Sequence, residues 1–127
     1  MNKYTELSDF EINKKAASHY LPCDYNLNEH AKTVELIGFL GDTDEYNVYG
    51  TFDPCNDPTS AMPIIIENKI GLSPMYHSNE WTADSLDYDF ISVNKNPYRA
   101  AMELFLLMKD AEDNNETSSS NDNASIN

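Results

Sequence analysis

Two matching helix starts constrain this chain more than any other feature. Asn56-Asp57-Pro58-Thr59-Ser60-Ala61-Met62 lies in mid-chain and Asn96-Pro97-Tyr98-Arg99-Ala100-Ala101-Met102 near the end. Each sets a capping residue, Asp57 or Asn96, directly before a proline, with an apolar run behind it. The capping oxygen satisfies free N–H groups of the first turn, and proline at the next position loses nothing because its N–H has no partner there in any case. A third start stands near the beginning. Leu7-Ser8-Asp9-Phe10-Glu11-Ile12 carries capping-box spacing between Ser8 and Glu11, with Leu7 placed to staple onto Ile12. That helix is expected to run to about Tyr20 and to stop at Leu21-Pro22, with Ile12, Ala16 and Tyr20 on its apolar face.

Between the helices the periodicity changes from helical to alternating. Cys23 to Lys32 is polar and reads as a loop. Thr33 to Leu40 is rich in branched apolar residues, Gly41-Asp42-Thr43-Asp44-Glu45 is a turn, and Tyr46 to Phe52 alternates with Tyr46, Val48, Gly50 and Phe52 on one face. The helix from Pro58 meets Pro63 inside its run, which leaves either a kink or a short turn and a restart. Ile64, Ile65 and Ile66 alone also suit a buried strand. Glu67-Asn68-Lys69-Ile70-Gly71 favours a helix end with glycine just beyond it. Ser73 to Asn79 reads as loop, Glu80 to Ala83 as a short strand and Leu86 to Val93 as a clearer one. The last helix is expected from Asn96-Pro97 to about Ala111, with Tyr98, Ala101, Leu104, Phe105 and Met108 at helical spacing. The order αββαββα gives an α+β sandwich: one antiparallel sheet of about four strands packed with three helices.

The chain of 127 residues suits a single globular domain over residues 1–111. Residues 112–127 are almost wholly Asn, Ser, Asp, Glu and Thr, too polar to offset their chain entropy, and read as a disordered acidic tail. No apolar run is long enough for a membrane span, and the opening residues show no secretory signal, so a cytoplasmic protein is expected.

Charge is the strongest compositional signal. The chain holds 22 acids against 8 bases, a formal net charge of −14. Most of it lies ahead of the tail. Direct binding to nucleic acid or to an anionic membrane needs clustered lysine and arginine and is not expected. A surface of this sign is soluble and attracts a basic partner. Two acidic groups stand out: Asp42, Asp44 and Glu45 in the first turn, and Asp84, Asp87 and Asp89 around the later strand.

Motifs for chemistry are absent. His19, Cys23, His30, Cys55 and His77 have no tight ligand pairing, so no metal or other cofactor is expected. The acidic turn lacks the alternation and central glycine of a calcium loop. No nucleophile elbow or phosphate-cradling loop occurs, and carboxylates near Cys55 raise its thiol pKa, the wrong direction for a nucleophile. Cys23 and Cys55 read as free thiols, with a bridge between them left open. One anion-binding pattern remains. Arg99, the chain's single arginine, lies in the first turn after Asn96, with Tyr98 or Trp81 as a stacking surface for a nucleotide. The competing reading pairs Arg99 with a local acid such as Asp89 and puts Trp81 in the core.

Leu7-Ser8-Asp9-Phe10-Glu11-Ile12-Asn13-Lys14, Phe52-Asp53-Pro54-Cys55-Asn56-Asp57-Pro58, Pro63-Ile64-Ile65-Ile66-Glu67-Asn68-Lys69-Ile70, Trp81 and the Asn96-to-Met102 run together resemble the phage NinX-like proteins, a family of unknown function. The resemblance covers most of residues 4–110. It implies a phage or prophage origin and action in the host bacterial cytoplasm, and it supplies no activity. The expectation is a non-enzymatic accessory protein that binds a host protein with a basic surface, in counter-defence or as a nucleic-acid mimic. The alternative is a nucleotide-binding protein using Asn96, Tyr98, Arg99 and Trp81.

Overall fold

All three helix starts form where the capping residues stand. In the computed structural model α1 spans Asp9–Tyr20, and the Ser8 hydroxyl accepts the Glu11 N–H at 3.1 Å. Helix α2 spans Pro58–Glu67, with the Asp57 carboxylate accepting from the Thr59 N–H at 3.0 Å. Helix α3 spans Pro97–Ile126, and the Asn96 side-chain oxygen accepts from the N–H groups of Tyr98 and Arg99. The structure describes the backbone of residues 2–126 and the side chains of residues 2–114. Helix α3 thus continues past the boundary expected at Ala111. The tail read at 112–127 lies, from residue 115 on, outside the residues whose side chains are described.

Helix α2 is one continuous piece with Pro63 inside it. Thr59, Met62 and Pro63 are exposed, so the carbonyl that loses its N–H partner at the proline faces water. The helix does not end on Gly71. Lys69 takes the left-handed conformation after the cap, at φ 53°, and Gly71 opens the next strand. There a Cβ would meet the Asp84 carboxylate oxygen at 2.6 Å, so the small residue serves a cross-strand approach.

The single four-stranded sheet expected from sequence is replaced by two three-stranded antiparallel meanders. The first is β1 (Tyr25–Asn28), β2 (Thr33–Phe39) and β3 (Tyr46–Thr51); the second is β4 (Gly71–Pro74), β5 (Trp81–Asp84) and β6 (Ile91–Asn94). Of the added strands, β1 lies in the polar stretch that reads as loop, and β4 starts at Gly71, expected just past a helix end, and runs into the loop read from Ser73; both exist because a neighbour pairs with them. Conversely, Leu86 to Phe90 is not strand. Leu86 is fully exposed, and β6 begins only at Ile91.

The core is organised around α3. Ala100, Ala101, Met102, Leu104, Phe105 and Leu106 are all buried, so this helix is covered on every side over nearly two turns. Helix α1 packs on it with Ile12, Ala16 and Ala17, α2 with Ala61, Ile64 and Ile65, and the second meander with Ala83 and Ser92. The first meander joins the core through α1, mainly by Val34 and Phe52.

The β2–β3 register carries one irregularity with large consequences. Leu36 pairs with Gly50 and Ile37 with Val48, so Tyr49 is an extra residue on β3. A one-residue bulge exchanges the faces of a strand on either side of it. Gly50 and Phe52 point to the core as the alternation predicts. Tyr46 and Val48, expected beside them, are turned to the opposite face.

Candidate functional site

The three helix starts converge on one polar junction, and Arg99 is its hub. Its Nη1 donates to Asp9 Oδ1 at 2.6 Å and its Nε to Glu103 Oε2 at 2.7 Å. Its Nη2 donates to the carbonyls of Tyr4 at 3.0 Å and Leu7 at 2.7 Å. Glu103 is wholly buried, and its second oxygen accepts from Asn2 at 3.2 Å. Burial works against the charge on Arg99, but the hydrogen bonds from Asp9 and Glu103 outweigh it and strengthen the guanidinium's hold on its proton. Arg99 does pair with acids, but with Asp9 and Glu103, not with the local Asp89.

Around this hub the loop before α2 is tied down by amides. Asn13, itself buried, donates to Asp53 at 2.7 Å and accepts from the Cys55 N–H at 3.2 Å. Asn56 bridges Asp9 and Asp53, at 3.1 Å to each. Asn96 donates to the Cys55 carbonyl at 2.7 Å. The two Asn/Asp-Pro starts are therefore joined to each other. Cys55 is a buried free thiol, pushed well above its ordinary pKa by burial first and by Asp9 next; Cys23 is an exposed free thiol.

The residues singled out for a nucleotide do not gather around an opening. Asn96 and Arg99 are taken up in the junction, and every guanidinium nitrogen has a protein acceptor. Tyr98 packs against the core. Trp81 begins β5, opposite Pro74 on one side and Asn94 on the other, and is half-buried. Among the described residues no group of three or more His, Cys, Asp or Glu is placed to hold a metal ion.

The acidic groups sit at the ends of two hairpins. Asp84, Asp87 and Asp89 surround the β5–β6 turn beside exposed Leu86 and Ile91. Asp42, Asp44 and Glu45 form the tip of the β2–β3 hairpin and are all exposed. Behind that tip lies a surface that sequence reading missed. On β2, Val34 and Leu36 face the core, so Ile37 and Phe39, in odd register, face away. The bulge brings Val48 opposite Ile37 and Tyr46 opposite Phe39 on that same outer face. Phe39 and Tyr46 meet edge to face, with ring centroids 6.0 Å apart. Phe39 is 49% exposed, Val48 49% and Tyr46 39%, while Ile37 is covered at 6% without belonging to the main core. Leu40 adds to the apolar surface at the turn. Nearer the body the same face turns polar. Hydrogen bonds from Asn28 and Asn26 hold the Glu35 carboxyl below the usual carboxylate range.

Fold and surface together define a small, strongly acidic α+β protein: two meanders about one central helix, with an apolar, acid-tipped hairpin face. The family described as Bacteriophage P22, NinX matches residues 3–109, and the chain belongs to that family of phage proteins. No curated protein and no solved structure matches it. Among the described residues no helix is long and apolar enough to cross a membrane.

Proposed function

We propose that this chain is a phage accessory protein that acts in the host bacterial cytoplasm by binding a host protein, not by catalysis, and that the β2–β3 hairpin is its contact. The observation that carries this reading is the outer face of the hairpin. Phe39, Tyr46 and Val48 stand exposed beside Asp42, Asp44 and Glu45. Contiguous apolar surface rimmed by charge is the composition of a protein contact: the aromatic residues supply the desolvated centre, and the charges steer approach and select sign. A net charge of −14 favours a basic partner surface. The β5–β6 end, with Asp84, Asp87 and Asp89 around Leu86, is a second contact of the same kind. Where the basic surface normally holds nucleic acid, the acidic tip competes for it, which is the route to counter-defence.

Seating a nucleotide at the α3 start has less support, because Asn96 and Arg99 already bind protein groups there.

The test is capture of a partner from host extract, followed by association kinetics with the purified partner. Neutralising the tip (D42N, D44N, E45Q together) is expected to slow association about tenfold and to flatten its dependence on salt. Phe39→Ser with Val48→Thr is expected to speed dissociation instead. Association indifferent to both salt and the tip variant would refute the charge-based contact.

A further inference from the structure

Beside the polar junction, and away from the hairpin tip, a cavity of about 420 Å³ opens between the start of α1 and the base of the β2–β3 hairpin. This is within the size range of small-molecule sites. We propose that it binds a small organic cation: an amine or amidine carried on a flat apolar body.

The floor is apolar and fixed. Phe10, Val34 and Phe52 line it and all three are buried. Asp9 and Asp53 line one wall. Their carboxylates are held in place, Asp9 by Arg99 and Asn56, Asp53 by Asn13 and Asn56. The two acids differ in what holds them. Asp9 shares the Arg99 charge with Glu103. Asp53 has amide donors only, and among the described residues no cation lies within ion-pair distance of it. Amides orient a carboxylate but bring no countercharge, so Asp53 is positioned by a buried asparagine and lacks a cationic partner among the described residues.

The ring of Phe10 supplies an independent indication. Two lysine ammonium groups already lie against it, Lys14 at 4.8 Å and Lys32 at 5.6 Å from the centroid. The ring is thus a surface on which cations collect. Lys14 is paired with Glu11 and Glu29, whereas Lys32 has no acid within ion-pair distance among the described residues and sits on the cavity rim as a displaceable occupant. Anions are disfavoured in the same space. The positive end of α1 is satisfied by the Ser8 cap and by Asp9 and Glu11 in its first turn. A ligand with an apolar body against Phe10 and Phe52 and a positive donor group at Asp53 answers the aromatic floor and the carboxylates of this lining, whereas a phosphate would find only Lys32 on the rim.

Benzamidine is the probe, with benzamide and benzoate as neutral and anionic controls of the same shape. Calorimetry and amide NMR on the full chain are expected to show benzamidine binding, with shifts at Phe10, Thr33, Val34 and Phe52, and no binding of benzoate. Asp53→Asn is expected to weaken benzamidine about tenfold. Lys32→Ala removes only an exposed competitor and is expected to tighten it a few-fold; this variant keeps the test decisive if Asp53→Asn fails to fold. Benzamide or benzoate binding as well as benzamidine, shifts confined to other parts of the surface, or Lys32→Ala weakening the complex would each overturn the proposal.

Discussion

Arg99 shows how one side chain can change meaning between sequence and structure. A lone arginine in the first turn of a helix reads as an anion receptor. Its fate depends on two acids, and only one was visible locally: Glu103 stands four residues on, the spacing of neighbours on one helix face. The other, Asp9, lies ninety positions away and meets it only because α1 packs on α3. The Arg99–Glu103 pair is deeply buried; such a pair gains little net stability, but breaking it leaves a charge short of a counterpart in low dielectric. Glu103→Gln, which leaves Arg99 with one carboxylate fewer, is expected to cost about 3 kcal/mol in urea unfolding. The double variant Arg99→Met with Glu103→Leu is expected to cost less than the sum of its single changes, because it removes both charges at once. Additive losses would mean that the two side chains are not coupled.

Among the elements, the helices were legible because caps and prolines are local signals. Ser8, Asp57 and Asn96 each accept from the first turn they precede. Strands were less legible, because pairing is a property of two segments. Tyr25–Asn28 and Gly71–Pro74 lack a strand pattern of their own and are strands by virtue of β2 and β5. The N-terminal segment is fastened to α3 by an equally non-local device. The Tyr4 hydroxyl donates to Asp110, which also pairs with Lys3 at 3.0 Å. Burial, and then Asp110, pushes the Tyr4 phenol up from its ordinary value. Burial acts to raise Asp110 as well, but the Tyr4 hydrogen bond and Lys3 outweigh it and hold the carboxyl low. The signs follow. For Tyr4 the folded state keeps the proton longer, so its contribution is complete below about pH 10 and is lost as pH rises beyond that. For Asp110 the contribution is complete above about pH 4 and is lost as pH falls through the depressed value. Tyr4→Phe is therefore expected to flatten the alkaline limb of a stability profile measured by chemical denaturation. An unchanged limb would exclude Tyr4 as its source.

At the scale of the molecule, excess negative charge is the strongest influence outside the core. With 22 acids and 8 bases the folded chain repels itself, and screening should relieve that repulsion. The melting temperature is expected to rise by a few degrees as sodium chloride goes from about 20 to 500 mM. A fall would show that attractive pairs such as Arg99–Asp9 outweigh the repulsion. The sequence by itself determined where the helices begin, the α+β class, the acidity and the family resemblance, because each is written in adjacent residues or in totals. The tertiary structure alone decided three further things: that the strands divide into two meanders, that Arg99 is enclosed by Asp9 and Glu103, and that Tyr46 and Val48 face outward. The last turns on a single extra residue, Tyr49, in the β2–β3 ladder. Strand alternation has a period of two, so one unpaired residue reverses every side chain before it, and register is set by the partner strand.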